Sequence, residues 1–427
     1  VIELVAGSWL KLDLDTMSHT TRRWWSINTF YNETKDFSLS QNIDHVDELL
    51  RTAIKRRLLS SDLEVGSFLS GGIDSGLVTS IASEMNTNLK TFTVSFQGVY
   101  DEAPLAKLVS EKYNTDHTEI PISFDNLKYD VEKILYNYGE PFFDSSAIPS
   151  YYVSKAAKEY LTVILNGDGA DELFGGYRRY VPYRYFDLFK SGRLSQVISN
   201  YSTKFLPLPT NKKSTYNYIY RLLDLIQKEG SLKYLSSTVD IFEGYENVLL
   251  SDKSISTEFE NEISGIIYTK LSGLQKIMCI DFNVLLFSDL LVKMDIATMA
   301  NSLEGRSPFL SKELLEFVPG INDKHKISGT TTKVLLRKLS ERYLPEQLIN
   351  QPKRGFEIPL KNWINSELKE IIHDYLGPKC YSENFVERKF LSNLLNNKIA
   401  IPAEKRAKIL WTLFSLEVWH KKSYLGG

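Results

Sequence analysis

Apolar and polar positions divide the chain into two stretches of different rhythm. Between Ile43 and Leu58 the apolar residues Ile43, Val46, Leu49, Leu50, Ala53, Ile54 and Leu58 recur at helical spacing, with Asp44, Glu48, Arg51, Lys55 and Arg56 on the other face. This pattern predicts an amphipathic helix. Short apolar runs then alternate with helical periods: Val65 to Leu69, a helix from about Ser75, Leu89 to Phe96, a helix from about Ala103, His117 to Ile120, helices to about Glu159, and Leu161 to Leu165. Strands alternating with helices predict a parallel sheet, whose ligands bind beyond the carboxyl ends of the strands. After Tyr180 strand signals fade, and helices are expected around Asp281 to Leu303, Thr332 to Tyr343, Lys361 to Leu376 and Ala403 to His420. The predicted fold class is α/β, a parallel twisted sheet flanked by helices, with a mostly helical C-terminal part. Residues 1 to 40 read as strand-like pieces with aromatics and a polar linker, and Asn200 to Tyr218, with Pro207 and Pro209, as a mobile insertion.

Composition narrows the class. The chain has 427 residues, 43% hydrophobic and 24% charged, which excludes disordered, collagen-like and coiled-coil proteins and allows two or three folded units. Lys+Arg number 51 against Asp+Glu 53, a net charge of −2, so the charge balance calls for neither nucleic acid nor an anionic membrane surface. Apolar stretches such as Val284 to Phe287 and Leu290 to Val292 are interrupted by Ser288 and Asp289, well short of a membrane span. Cys279 and Cys380 give neither a disulfide framework nor zinc-ligand spacing, and the expected location is the cytoplasm. The opening Val1-Ile2-Glu3-Leu4 has no signal-peptide character and no initiator Met, so the chain is expected to begin within a longer protein.

Two loops carry candidate chemistry. Ser70-Gly71-Gly72-Ile73-Asp74-Ser75 joins the Val65 to Leu69 run to a helix. Its glycines permit a tight turn, and its hydroxyls, N–H groups and helix start form an anion cradle. It lacks the Gly-Lys-Ser/Thr ending of a Walker A loop and the G-x-G-x-x-G of a dinucleotide fold. Asp74 within a phosphate loop calls for a bridging divalent cation. The second loop, Asn166-Gly167-Asp168-Gly169-Ala170-Asp171-Glu172-Leu173-Phe174-Gly175-Gly176-Tyr177, follows another strand and sets three acids among glycines, which again calls for a metal or nearby cations.

The first loop resembles that of the PP-loop ATP pyrophosphatases, and the second resembles the synthetase domain of glutamine-hydrolysing asparagine synthetase. Further matches follow in family order: Tyr100 to Pro104, Asp144 to Pro149, Lys293-Met294-Asp295, Ser302 to Leu310 and Pro352 to Phe356, so that the resemblance covers about residues 43 to 420. It implies a PP-loop, adenine nucleotide α-hydrolase-like fold. It also implies a reaction in which a small-molecule carboxylate, aspartate above all, attacks the α-phosphate of ATP, pyrophosphate leaves, and ammonia derived from glutamine converts the acyl-adenylate to the amide. By position Leu69 and Val94 would flank adenine; Ser70, Gly71, Gly72 and Ser75 would hold pyrophosphate; Asn166 and Gly167 would lie against the nucleotide. Asp74 and Asp171 would hold Mg²⁺, Lys353 would reach the reacting phosphate, and Asp168 would serve adenylate formation and the attacking amine. Asp295 and Glu304, expected on the helix from Asp281, have an equal reading as ion-pair partners of Lys293 and Arg306. His117 is assigned no catalytic role.

The family's glutaminase domain begins with a nucleophilic Cys, and by position neither Cys279 nor Cys380 can replace it. Residues 1 to 40 resemble the tail and linker of such a domain, and 41 to 427 the synthetase domain, with 41 to 180 its nucleotide-binding core and 181 to 427 its helical part. The glutaminase would act in cis or in trans, and homodimerisation stays open. Asp168 stands where many relatives carry Glu, Ile296 where they carry Arg, and Ser311 where they carry Asp. Amidation of sugar uronates, β-lactam closure and peptide cyclisation therefore remain alternatives, as does a non-catalytic nucleotide-binding subunit.

Overall fold

The structure, a computed structural model, describes residues 4–96, 102–189, 206, 215–228, 230, 232–235, 241–242, 244–250, 257–351 and 358–426. Lys353 with its Pro352 to Phe356 context, Tyr100, Asp101 and most of the Asn200 to Tyr218 insertion lie outside the described residues.

Residues 8–23 form an antiparallel ribbon, β1 (Ser8–Leu12) with β2 (His19–Arg23), on which Trp9, Leu10, Leu14 and Trp24 are exposed. The helix Leu39–Leu59 opens on a capping box in which Ser38 and Gln41 satisfy each other's backbone N–H groups, and it buries Ile43, Val46, Leu50, Ala53 and Ile54. Five strands follow in one sheet: β3 (Val65–Phe68), β4 (Lys90–Phe96), β5 (Asp116–Ile122), β6 (Val163–Leu165) and β7 (Glu304–Arg306). Their order is β5-β4-β3-β6-β7, and every pairing is parallel.

That order fixes where a ligand can sit. Successive strands run outward from β3 to β5, then β6 returns to the other side of β3, so the chain changes direction between β3 and β6. At such a switch point the two connecting loops diverge and open a crevice at the carboxyl ends of the strands. The register sets Val65 opposite Val163 and Ser67 opposite Leu165, so both glycine-rich loops leave the sheet at the same level.

Helices cover both faces. Val163 and Leu165 of β6 belong to one core cluster, with Val46, Leu50, Leu77 and Ile81, while the intervening Ile164 belongs to the other, with Phe92, Ile148 and Trp411. Strand alternation thus feeds two helical layers.

Three expectations are corrected. The helix expected from Asp281 to Leu303 is a π-helical segment, Phe282–Leu290, followed by the α-helix Leu291–Met299, and Glu304 lies on β7. Edge strand β7 is held by backbone pairing, with Glu304 N–H donating to Thr162 O at 2.8 Å and Asn166 N–H to Arg306 O at 2.9 Å, so its polar sequence left no apolar signature. The helix expected over Lys361 to Leu376 breaks into Leu360–Asn365 and Lys369–Tyr375. There Asn365 Nδ2 and the Ser366 hydroxyl donate back to Lys361 O and Asn362 O at 2.7 Å each, competing with the helical ladder. No helix among the described residues is long and apolar enough to cross a membrane.

Candidate active site

Beyond β3 the chain turns through Leu69 and Ser70 into the helix Ile73–Met85. The turn is tied internally: the Ser70 and Ser75 hydroxyls lie 2.8 Å apart, Ser70 N–H donates to Ser75 Oγ at 3.0 Å, and Gly72 N–H donates to Ser70 Oγ at 3.2 Å. Gly72 caps the helix without a side-chain hydrogen bond, so the first N–H groups remain an anion-binding edge. Gly71 N–H donates to Glu102 Oε2 at 3.3 Å, a neighbour of the cradle that sequence reading did not single out. Leu69 is buried at 1% exposure and Val94 half-buried on adjacent β4, so Leu69 faces the core and offers a ligand mainly its backbone.

Beyond β6 the second loop is pinned by Asn166, whose Oδ1 accepts from the Ser307 hydroxyl at 2.6 Å and from Asp168 N–H at 3.3 Å. Gly169, at φ 85°, turns the chain into the short helix Ala170–Phe174, and Gly175, at φ 74°, ends it; both occupy the left-handed region that favours glycine. Asp171 and Glu172 lie in the first helical turn, where the helix end favours acids. Tyr177 OH donates to Glu172, and burial, followed by the Glu172 charge, pushes the phenol well above its ordinary range.

The two loops meet. At Gly167 a Cβ would stand 3.0 Å from Asp74 Cβ and 3.1 Å from Ser75 N, so only a residue without a side chain lets them approach this closely. Lys333, 3% exposed, joins their acids: its Nζ donates to Asp74 Oδ2 at 2.6 Å and lies 2.6 Å from Asp171 Oδ1. A Cβ at Gly176 would overlap both Asp171 Oδ1 and Lys333 Cε, so this second glycine makes room for the contact. Lys333 caps the helix Val334–Ser340 in the left-handed conformation, φ 52° and ψ 39°. That conformation costs a non-glycine residue about 1 kcal/mol or more. Arg337 secures the turn by donating from Nε to Thr332 O at 3.0 Å and from Nη2 to Gln351 O at 3.1 Å, two residues before Lys353.

Asp74 Oδ1 is buried and accepts no hydrogen bond from any described residue, and no cluster of three or more His, Cys, Asp or Glu occurs among the described residues. The spare oxygen of Asp74, close to a second carboxylate on Asp171, suits Mg²⁺, which keeps waters and takes its other ligands from substrate phosphates.

Beside Asp168 opens a chamber of about 390 Å³, bounded on the sheet side by Asn166, Asp168 and Ser307 and on the helix side by Met294, Asp295 and Thr298. The two expected ion pairs divide. Arg306 Nε pairs with Glu304 Oε1 at 2.7 Å, but Lys293 turns to Asp144 Oδ2 at 2.8 Å, and Asp295 has no ion pair among the described residues. His117 Nδ1 lies 2.9 Å from the Thr91 hydroxyl near the start of β5, at the end of the sheet away from both loops. Cys279 is buried, which pushes its thiol up to about 12, so it is no nucleophile.

A switch-point crevice, a glycine-serine turn and paired aspartates define an α/β fold of the PP-loop kind. The family model for asparagine synthase matches residues 45–421, and the chain belongs to that family. It is 33% identical over 370 residues to asparagine synthetase [glutamine-hydrolyzing] 1 of Bacillus subtilis, covering 85% of this chain and 56% of that protein. It is 26% identical over 431 residues to a putative asparagine synthetase of Mycobacterium bovis, covering 98% of this chain and 64% of that protein. Over 201 residues it is 35% identical to a putative asparagine synthetase 2 of Methanocaldococcus jannaschii, 46% of this chain and 38% of that protein. The chain thus spans about 56% to 64% of the length of the first two relatives.

Proposed function

We propose that this chain is the synthetase part of an ATP-dependent amide-forming ligase, AMP-forming, with aspartate as its carboxylate and asparagine as its product. The observation that carries the reading is the meeting of Asp74 and Asp171 on Lys333 Nζ, 2.6 Å from each.

Each residue then has a task. Ser70, Gly71, Gly72 and Ser75 hold the pyrophosphate end of ATP with N–H and hydroxyl donors. Leu69 and Val94 bound the adenine site, and Asn166 and Gly167 line the nucleotide from β6. Lys333 adds a fixed positive charge at the crevice. Asp74 and Asp171 would hold Mg²⁺, which when bound offsets charge on the departing pyrophosphate, worth several kcal/mol in such sites, roughly. The substrate carboxylate oxygen bonds to the α-phosphorus as the bond to the β-phosphate oxygen breaks, and pyrophosphate leaves with that electron pair. Ammonia then bonds to the acyl carbon, the bond to AMP breaks, and the surplus proton passes from nitrogen to Asp168. Lys353 is assigned to the reacting phosphate by its place in the Pro352 to Phe356 motif alone.

In a related protein glutamine would supply the ammonia through a glutaminase domain, in cis or in trans. The exposed apolar side chains of the β1–β2 ribbon support reading residues 1–40 as the end of such a domain. The two free cysteines fit a reducing, cytoplasmic setting.

Pyrophosphate release from ATP, measured with ammonium chloride and candidate acids, tests the reading. Release that requires a carboxylic acid, with AMP formed in equal amount, is expected. ATP hydrolysis indifferent to every acid, or no turnover, would favour a nucleotide-binding subunit without ligase activity.

A further inference from the structure

Lys333 stands where the two acids assigned to Mg²⁺ meet. We infer that Lys333 is a fixed internal counter-ion that makes cation binding depend on nucleotide: its ammonium opposes a divalent ion arriving alone and admits one that arrives with phosphate. This rests on reading Asp74 and Asp171 as the cation's ligands, and adds to that reading the residue that sets the order of loading.

The ammonium is held in place. Lys333 Nζ lies 2.6 Å from Asp74 Oδ2 and from Asp171 Oδ1, and its side chain is 4% exposed. Its stem passes Gly176 so closely that a Cβ there would stand 2.4 Å from Lys333 Cε and 1.7 Å from Asp171 Oδ1. The backbone is fixed as well. Lys333 N–H donates to Gly175 O at 3.3 Å and Arg337 N–H donates to Lys333 O at 2.9 Å, which keeps the residue in the left-handed region at φ 52°. A stem packed this closely leaves the ammonium little room to withdraw when another cation approaches.

Charge decides the rest. Lys333 cancels one of the two negative charges that Asp74 and Asp171 bring, so a divalent cation meets a weakened pair of ligands with a positive neighbour on the same carboxylates. Arg337, one turn further along the same helix, feels the charges of both Asp74 and Arg178, so more positive charge surrounds the loops. Mg²⁺ binds oxygen at about 2.0–2.1 Å, and Asp74 Oδ1, buried without a hydrogen-bond partner among the described residues, is open to it. In a buried site the repulsion between that ion and the ammonium is screened far less than in bulk water. Phosphate oxygens invert the balance: they restore the negative charge that Lys333 removed, and they bond cation and ammonium alike. The Ser70 to Ser75 turn, assigned to pyrophosphate, delivers them beside Asp74. Metal and nucleotide thus each improve the site for the other, and linkage makes that coupling reciprocal.

The test uses the whole chain and needs no turnover. Protein-bound Mn²⁺ is titrated by electron paramagnetic resonance with and without ATP, and ATP binding by calorimetry in EDTA. Wild type is expected to hold Mn²⁺ alone at least about tenfold more weakly than in the presence of ATP. Lys333→Met should move the two affinities in opposite directions: Mn²⁺ alone binds about tenfold or more tighter and metal-free ATP about tenfold or more weaker, whereas loss of a merely structural residue lowers both. Lys333→Arg, which keeps the charge, should gain no Mn²⁺ affinity. In EDTA Lys333→Met should melt below the wild type, because Asp74 and Asp171 then face each other without their counter-ion, and Mn²⁺ alone should restore it. Wild type that binds Mn²⁺ alone as tightly as with ATP overturns the proposal without any variant. Two affinities that fall together in Lys333→Met, or stay unchanged, overturn it too, and each of these results spares the ligase reading. Binding of neither Mn²⁺ nor ATP by the folded wild type removes both.

Discussion

Two glycines decide how near the acids of the two loops can come. Gly167 has its would-be Cβ 3.0 Å from Asp74 Cβ, a tight but not impossible contact, so Gly167→Ala should force the loops apart by a few tenths of an ångström. The expected outcome is a loss of about 1–3 kcal/mol in stability by urea unfolding and about a tenfold fall in kcat/KM for pyrophosphate release. Gly176→Ala should cost more activity, because its Cβ would displace Asp171 and Lys333 themselves. An active Gly176→Ala protein would contradict the arrangement. Legibility at this scale followed chemistry. Asp74 and Asp171 stood out because carboxylates within glycine-rich turns after strands need a cation. Lys333 did not, because a lysine before a helix is ordinarily a solvated side chain. Its one irregularity, a cation at the end of the helix where the dipole disfavours it, is a faint signal.

Among the elements, the apolar pattern located β3 to β6 and the helices between them to within a few residues. It missed β7, whose Glu-Gly-Arg sequence pairs through backbone alone, and it could not tell a π-helical segment from an α-helix because both satisfy the same apolar spacing over a few turns. The π segment carries Asp289, whose carboxyl is pushed up to about 6 by burial and then by Asp144, with Lys293 opposing. Against an ordinary value of 3.8, the folded state binds more protons than the unfolded state between those limits. Stability from this group is therefore present below about pH 4 and lost as pH rises through 6. Asp289→Asn, which cannot ionise, should melt above the wild type at pH 7.5, with the difference closing by pH 4.5. A difference independent of pH would show that burial of this carboxyl has been misjudged.

For the molecule as a whole, the sheet order does what no single motif could. Reversal between β3 and β6 brings residues nearly a hundred positions apart, Asp74 and Asp171, onto one lysine that lies further along the chain at position 333. The sequence resemblance anticipated that convergence, but the strand order that produces it depends on long-range pairing that no local pattern encodes. The chamber beside Asp168 was equally hidden, since its walls come from β6, β7 and a helix beginning more than a hundred residues after Asp168. A double-substitution cycle on Asp74 and Asp171 tests the shared-cation claim most directly, with Mn²⁺ affinity in the presence of ATP read by electron paramagnetic resonance. If both hold one ion, Asp74→Asn and Asp171→Asn should each weaken binding about 10–100-fold and the double variant little further, since groups that act as a unit are not additive. Losses that multiply in the double variant, or Mn²⁺ binding indifferent to either change, would contradict it.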